Sequence, residues 1–151
     1  MPINSMSYNT YSFSEITFVL QHPSLGQFQL VGETVGTISF ARAQDSSSHQ
    51  VAHDGSVMTS KIVTRHGTMS FTAHQDSALH RWLQNAYNYL MNAYADPDWA
   101  EFSGRCESNT TREVTTFSHA SIQKFPDVNY QQQGQDVTWN FLCGVIDTEH
   151  A

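Results

Sequence analysis

The sequence predicts a mainly β protein with one α-helix, and three observations carry that reading. Short stretches rich in β-branched and aromatic residues recur along the chain, separated by Gly, Pro, Asn and Asp. A single stretch near the middle places its apolar residues at helical rather than alternating spacing. No internal repeat or linker divides the 151 residues. They are expected to form one domain, 1–151, long enough to bury roughly two-thirds of its unfolded surface.

The elements follow in order. Residues 1–11 are expected to be an N-terminal arm. "YSFSEITFVL" reads as a strand, with Ile16, Phe18 and Leu20 alternating against Thr17 and Val19. "HPSLG" is a turn and "QFQLVG" a short strand that closes a hairpin; "TVGTISFARA" is another strand. "QDSSSHQVAHDG" is polar, shows no periodicity and ends in Asp54-Gly55, a strong turn signal. It belongs to a polar loop predicted over 41–57, nearly free of large apolar side chains and therefore expected to be mobile in an isolated subunit. "SVMTSKIVTRHGTMSFTAH" gives one or two strands broken near Gly67.

The helix is predicted from Asp76 to Ala95. Leu79, Trp82, Leu83, Ala86, Tyr87, Leu90, Ala93 and Tyr94 form its apolar stripe. Asp76 or Ser77 caps its start, and Asp96-Pro97 stops it. Its opposite face is read as His80, Arg81, Gln84, Asn85, Asn88 and Asn92, with one formal charge where an exposed helix usually carries ion pairs. "WAEFSGRCES", "TREVTTFSHASI" and "QDVTWNFLCGVID" are three further strands, with "KFPDVNYQQQGQ" between the last two.

Composition narrows the function. Charged residues make up 14% of the chain, against about 25% for a typical soluble domain. A neutral polar surface of this kind suits a subunit whose faces meet other subunits. A net charge of −7, with only seven Lys and Arg, argues against a protein that grips nucleic acid. "MPINSMSYNTYSF" shows no readable signal peptide, and no apolar run is long enough to span a membrane. Cys106 and Cys143 lie in strand-like patterns without CxxC spacing and read as reduced, mostly buried thiols.

Five of the eight histidines fall between His49 and His80, which raises metal or acid–base chemistry. On a strand, His66 and His74 share the face of Thr68, Ser70 and Thr72, but stand about 25 Å apart and cannot share an ion. His49 and His53 have an H-x3-H spacing, but in a Ser-rich loop rather than on a helix. No metalloprotease, zinc-finger, deaminase, GxSxG, phosphate-loop or dinucleotide pattern is present. Glu101, Glu107 and Glu113 each stand alone among polar neighbours, and Cys143 sits in the apolar "WNFLCGVI". No catalytic residue, cofactor or metal is assigned; a small cytosolic β-barrel enzyme or binding domain with a His-rich site remains the competing reading.

The order of elements resembles that of the tail tube proteins of contractile-tailed bacteriophages, over roughly Ser12 to Asp147. "YSFSEITFVLQHPSLGQFQL" resembles the family's first hairpin. "TISFARAQDSSSHQVAHDGSVMTSKIVTRHGTMSFTAHQDSALHRWLQNAYN" resembles its long polar hairpin loop, central strand pair and helix start, and "DVTWNFLCGVID" its closing strand. The tube of type VI secretion is similar in fold and is the related alternative.

The resemblance implies a β-sandwich or barrel-like fold with one flanking helix. It also implies hexameric rings stacked into a hollow tube through which DNA passes without specific binding. It further implies a virion tail assembled in the host cytoplasm, with tail sheath, tail-tip or baseplate and terminator proteins as partners. The long hairpin would reach toward neighbouring subunits and order on assembly. Asp45, Ser46, Ser47, Ser48, His49, His53 and Asp54, with Gln84 and Asn88 of the helix, are then expected at subunit interfaces. His66, Thr68, Ser70, Thr72 and His74 would form a polar wall.

Overall fold

A computed structural model describes residues 16–31, 35–109 and 111–150. The expected arm at 1–11 lies outside the described residues. Strands β1 (Ile16–His22) and β2 (Gly26–Val31) form the first hairpin. Its turn ends at Gly26, whose φ of +90° suits a residue without a Cβ. Then come β3 (Val35–Arg42), β4 (Ser47–Val51), β5 (Val57–Lys61), β6 (Gly67–His74), helix α1 (Ala78–Leu90), β7 (Phe102–Ser108), β8 (Glu113–Lys124) and β9 (Asp136–His150).

Seven strands form one antiparallel sheet in the order β2-β1-β7-β8-β9-β6-β3, and β4 and β5 pair only with each other. Phe18 on β1 and Phe71 on β6 have β7, β8 and β9 between them. In a flat sheet they would be about 19 Å apart; their ring centroids are 5.3 Å apart. Phe40 on the edge strand β3 likewise reaches Phe117 on β8 at 6.0 Å. The sheet therefore curls until its two halves face each other as a sandwich. Strand alternation fills the space between them: Ile16, Phe18 and Leu20 from β1, Met69, Phe71 and Ala73 from β6, and Val137, Trp139, Phe141 and Cys143 from β9 are all buried.

Six antiparallel pairings separate β2 from β3, so the two run in the same sense. The register sets Phe102, Ala120, Cys143, Gly67 and Arg42 on one row across β7, β8, β9, β6 and β3.

Helix α1 is shorter than its pattern predicts. Ser77 is the N-cap, its Oγ accepting from the His80 amide at 3.2 Å, and Leu79, Leu83, Ala86 and Leu90 are buried. Trp82 packs on Phe28 at 5.8 Å and on Phe102 at 6.4 Å, and Tyr87 on Phe125 at 5.0 Å. The α-helix ends at Leu90 because the Asn92 amide takes the carbonyls of Asn88 and Tyr89, at 3.3 and 3.2 Å. The chain continues as a 3-10 helix over Ala93–Asp98 with Pro97 inside it, so Asp96-Pro97 does not end the α-helix. With the period changed, Tyr94 leaves the stripe and is 73% exposed.

Residues 41–57 are not the unstructured loop their composition suggests. Ser47 to Val51 pairs with Val57 to Lys61 in unbroken register. Main-chain hydrogen bonding needs no apolar alternation, and the turn chemistry supplies the reversal. The Ala52 and Ser56 main chains close the ladder at 2.8 Å, and Gly55 sits at φ +85°.

Candidate functional site

The β4–β5 ribbon projects from the ends of β3 and β6, and every residue in both strands is exposed. Ser47, His49 and Val51 face one side with Val57, Thr59 and Lys61, while Ser48, Gln50, Met58 and Ser60 face the other. Asp45 and Ser46 lie at the base, where the Ser46 carbonyl accepts from the Ile62 amide at 2.9 Å. At the tip, Asp54 accepts from the Ser56 hydroxyl at 2.6 Å and from its amide at 3.0 Å. Those two bonds, the hydroxyl's first, hold its carboxyl below the ordinary aspartate value. The tip also carries apolar side chains that the sequence reading passed over. Val51 and Val57 stand opposite each other, 71% and 54% exposed, and Met58 beside them is 62% exposed. The signal was present, because a β-branched residue on each side of a DG turn marks the last cross-strand pair of a hairpin.

Strand β6 places Thr68, Ser70, Thr72 and His74 on one face and Gly67, Met69, Phe71 and Ala73 in the core. Their cross-strand partners on β9 are Leu142, Asn140, Thr138 and Asp136. On β3, the Ser39 and Ser70 hydroxyls meet at 2.7 Å, and Thr72 Oγ1 accepts the Thr37 amide at 2.8 Å where the β3 register shifts. A hydroxyl thus supplies an acceptor that the ladder drops. His66 precedes the strand and is exposed. Between its two ends the face carries the hydroxyls of Thr68, Ser70, Thr72 and Thr138, the Asn140 amide and the exposed Leu142, with Lys124 of β8 paired beside Asn140.

Of the five clustered histidines, His74 and His80 line one cleft and the other three lie on or beside the ribbon. His49 and His53 ride on the ribbon, His66 follows it, and His74 ends β6 with Nδ1 against the Asp76 carboxylate. His80 is a correction, because the sequence reading put it on the solvent face of the helix. It is 3% exposed, and its Nδ1 accepts the Trp139 indole N–H at 3.1 Å. Indole only donates, so His80 is the neutral tautomer with its proton on Nε2, and burial pushes its pKa down. The helical period could have placed it, since His80 stands three residues before Leu83 and seven before Tyr87, within the buried stripe. The buried His22 also escaped notice: its Nδ1 accepts the Ser24 amide at 3.1 Å and its Nε2–H donates to the Asp98 carbonyl at 2.8 Å.

Among the described residues, no group of three or more His, Cys, Asp or Glu is placed to hold a metal ion. Burial raises the thiols of Cys106 and Cys143 to about 11, which leaves almost no thiolate at neutral pH. Gln84 is half-buried and lines a cleft of about 300 Å³ with His74, Gln75, His80, Val128 and Tyr130; Asn88 is exposed on the same helix. The geometry offers surfaces for contact.

A family profile described as "Bacteriophage PhiTE tail tube protein" matches residues 8–150. No curated protein matches the chain. Three solved structures share its fold at low sequence identity. The anti-feeding prophage cap, a tube terminating cap, aligns with a TM-score of 0.57 at 9% identity over 100% of both chains. The sheath–tube complex of an extracellular contractile injection system, PVC, in its extended state gives 0.54 at 6% identity over 89% of this chain and 88% of that one. The anti-feeding prophage baseplate gives 0.61 at 12% identity over 95% of this chain and 97% of that one.

Proposed function

The chain belongs to the bacteriophage PhiTE tail tube protein family, and from that premise we propose that it is a structural subunit that closes into hexameric rings. The rings stack into the hollow inner tube of a tail, through which DNA passes without being bound. The observation that carries this reading is the β4–β5 ribbon, a two-stranded sheet exposed on both faces with Val51, Val57 and Met58 at its tip. Such a ribbon is marginally stable alone, and covering its tip with a neighbouring subunit removes apolar surface from water. Asp45 to His49, His53 and Asp54 supply the polar contacts along it, and Gln84 and Asn88 contribute from the helix.

The hydroxyl face of Thr68, Ser70 and Thr72, with His66 and His74 at its ends, serves as a wall. A face of hydroxyls on a protein of net charge −7, with Lys124 at its border paired to Asp127, gives a phosphate backbone little to hold. Tail sheath, tail-tip or baseplate and terminator proteins are the further partners, and the assembled virion tail is its location, with assembly in the host cytoplasm. The competing reading, a small barrel with a His-rich pocket, has His74 and His80 on one cleft, but among the described residues no third His, Cys, Asp or Glu joins them in a metal-holding group.

Sedimentation across a wide concentration range, with negative-stain microscopy of the heavy fractions, tests the proposal. Rings of six or tubes are expected as concentration rises. A monomer at every concentration overturns it.

A further inference from the structure

We propose that a cationic cleft at the base of the ribbon receives the acidic turn from Asp96 to Glu101 of a second copy, joining the two head to tail. The proposal rests on the tube reading above and names one contact within it. Arg42, Lys61 and Arg65 line a cleft of about 370 Å³ together with Ser46, Ile62 and Thr64. These are three of the chain's seven cations. Asp147 pairs with Arg65 at 3.0 Å, and Asp45 adjoins Ser46 in the chain. Among the described residues, neither Arg42 nor Lys61 is in an ion pair.

Asp96, Asp98 and Glu101 fall within six residues, and none is in an ion pair among the described residues. Asp96 and Glu101 are exposed. Asp98 anchors the turn to the body: its Oδ2 accepts from the Ser24 hydroxyl at 3.0 Å and its carbonyl from the buried His22 at 2.8 Å. The turn is thus held beside the β1–β2 hairpin, which fixes where its two exposed carboxylates stand.

Arg42 ends β3 and Glu101 precedes β7, with β6, β9 and β8 between those strands, and among the described residues no ion pair joins the two clusters within one molecule. They meet between copies, in a head-to-tail contact that repeats along a stack. Ion pairing of this kind sets partner orientation and is weakened by salt.

Two variants test the contact in the full chain. In the first, Arg42→Glu and Lys61→Glu reverse the cleft; in the second, Asp96→Lys and Glu101→Lys reverse the turn. Near-UV circular dichroism checks that each is folded. Each alone is expected to lose about tenfold in sedimentable assemblies at low salt. An equimolar mixture is expected to recover them, because each reversed site then faces a reversed complement on the other variant. Wild-type assemblies are expected to decline as sodium chloride is raised.

Wild-type assembly by either variant alone overturns the proposal, and so does a mixture that recovers nothing. A duplex oligonucleotide bound by wild type and lost in the cleft variant, with tubes unaffected, assigns the cleft to phosphate instead and also overturns it. If wild type forms no tubes, the tube reading fails. The inter-copy contact is then read separately as a complex between the two variants in sedimentation, and its absence overturns this proposal too.

Discussion

The Trp139 indole N–H donates to His80 Nδ1 at 3.1 Å, across a ring-to-ring distance of 5.8 Å, and this bond joins the helix to the centre of the sheet. Trp139 is fully buried and His80 nearly so. Removing the acceptor strands a donor where water does not reach. His80→Ala is expected to cost about 1–3 kcal/mol for the unsatisfied N–H, with a further loss from the cavity. His80→Asn or His80→Gln, which can offer a carbonyl, should recover much of it. Urea unfolding monitored by tryptophan fluorescence decides; equal stability of His80→Ala and wild type would place the bond outside the folding energetics.

The same pair makes stability depend on pH in a stated direction. Burial lowers the His80 pKa below its ordinary value. The unfolded chain therefore binds the proton more readily, and stability is lost as pH falls from about 6.5 toward the depressed folded value. The difference in unfolding free energy between wild type and His80→Asn should shrink as pH is lowered through that window. A difference that stays constant would mean His80 contributes nothing to acid sensitivity.

Phe71 sits between Phe18 at 5.3 Å and Phe141 at 5.7 Å, where the two halves of the curled sheet meet. Phe71→Ala is expected to cost about 3–5 kcal/mol, enough to unfold a marginal domain. Thermal unfolding checks this, and a cost below about 1 kcal/mol would mean that the halves do not depend on this contact.

The ribbon should be separable from the body. Joining Ser46 to Ile62 through a short glycine link, in place of residues 47–61, uses ends already bonded at 2.9 Å. A folded subunit with native near-UV circular dichroism is expected, with assembly lost. Regular tubes from the shortened chain would reduce the ribbon to decoration. Gly55→Ala is the mild counterpart, because φ of +85° strains a residue with a Cβ by roughly 1–2 kcal/mol. Hydrogen exchange should quicken in β4 and β5 while the core strands stay protected.

Cys106 and Cys143, with thiols near 11, should react with a disulfide reagent at pH 8 about 100-fold more slowly in the native protein than in denaturant. Comparable rates would mean the strands open readily around them.

Strand β1 was legible because alternation is local. Ile16, Phe18 and Leu20 needed only a period of two to declare an inner face, and all three are buried. The same held for β6, β9, and the Leu79–Leu83–Ala86–Leu90 stripe, whose period is a property of the backbone itself. The DG turn at Gly55 was equally local. The ribbon strands were not, because hydrogen-bond pairing between Ser47–Val51 and Val57–Lys61 leaves no apolar pattern when neither face packs on the body.

Tertiary structure alone decided two things. It set the curl that brings Phe18 to Phe71 across three intervening strands, since register and twist accumulate over pairings that no single segment encodes. And it turned His80 inward, because a polar side chain is buried cheaply only where the fold supplies a partner, and that partner, Trp139, lies 59 residues away.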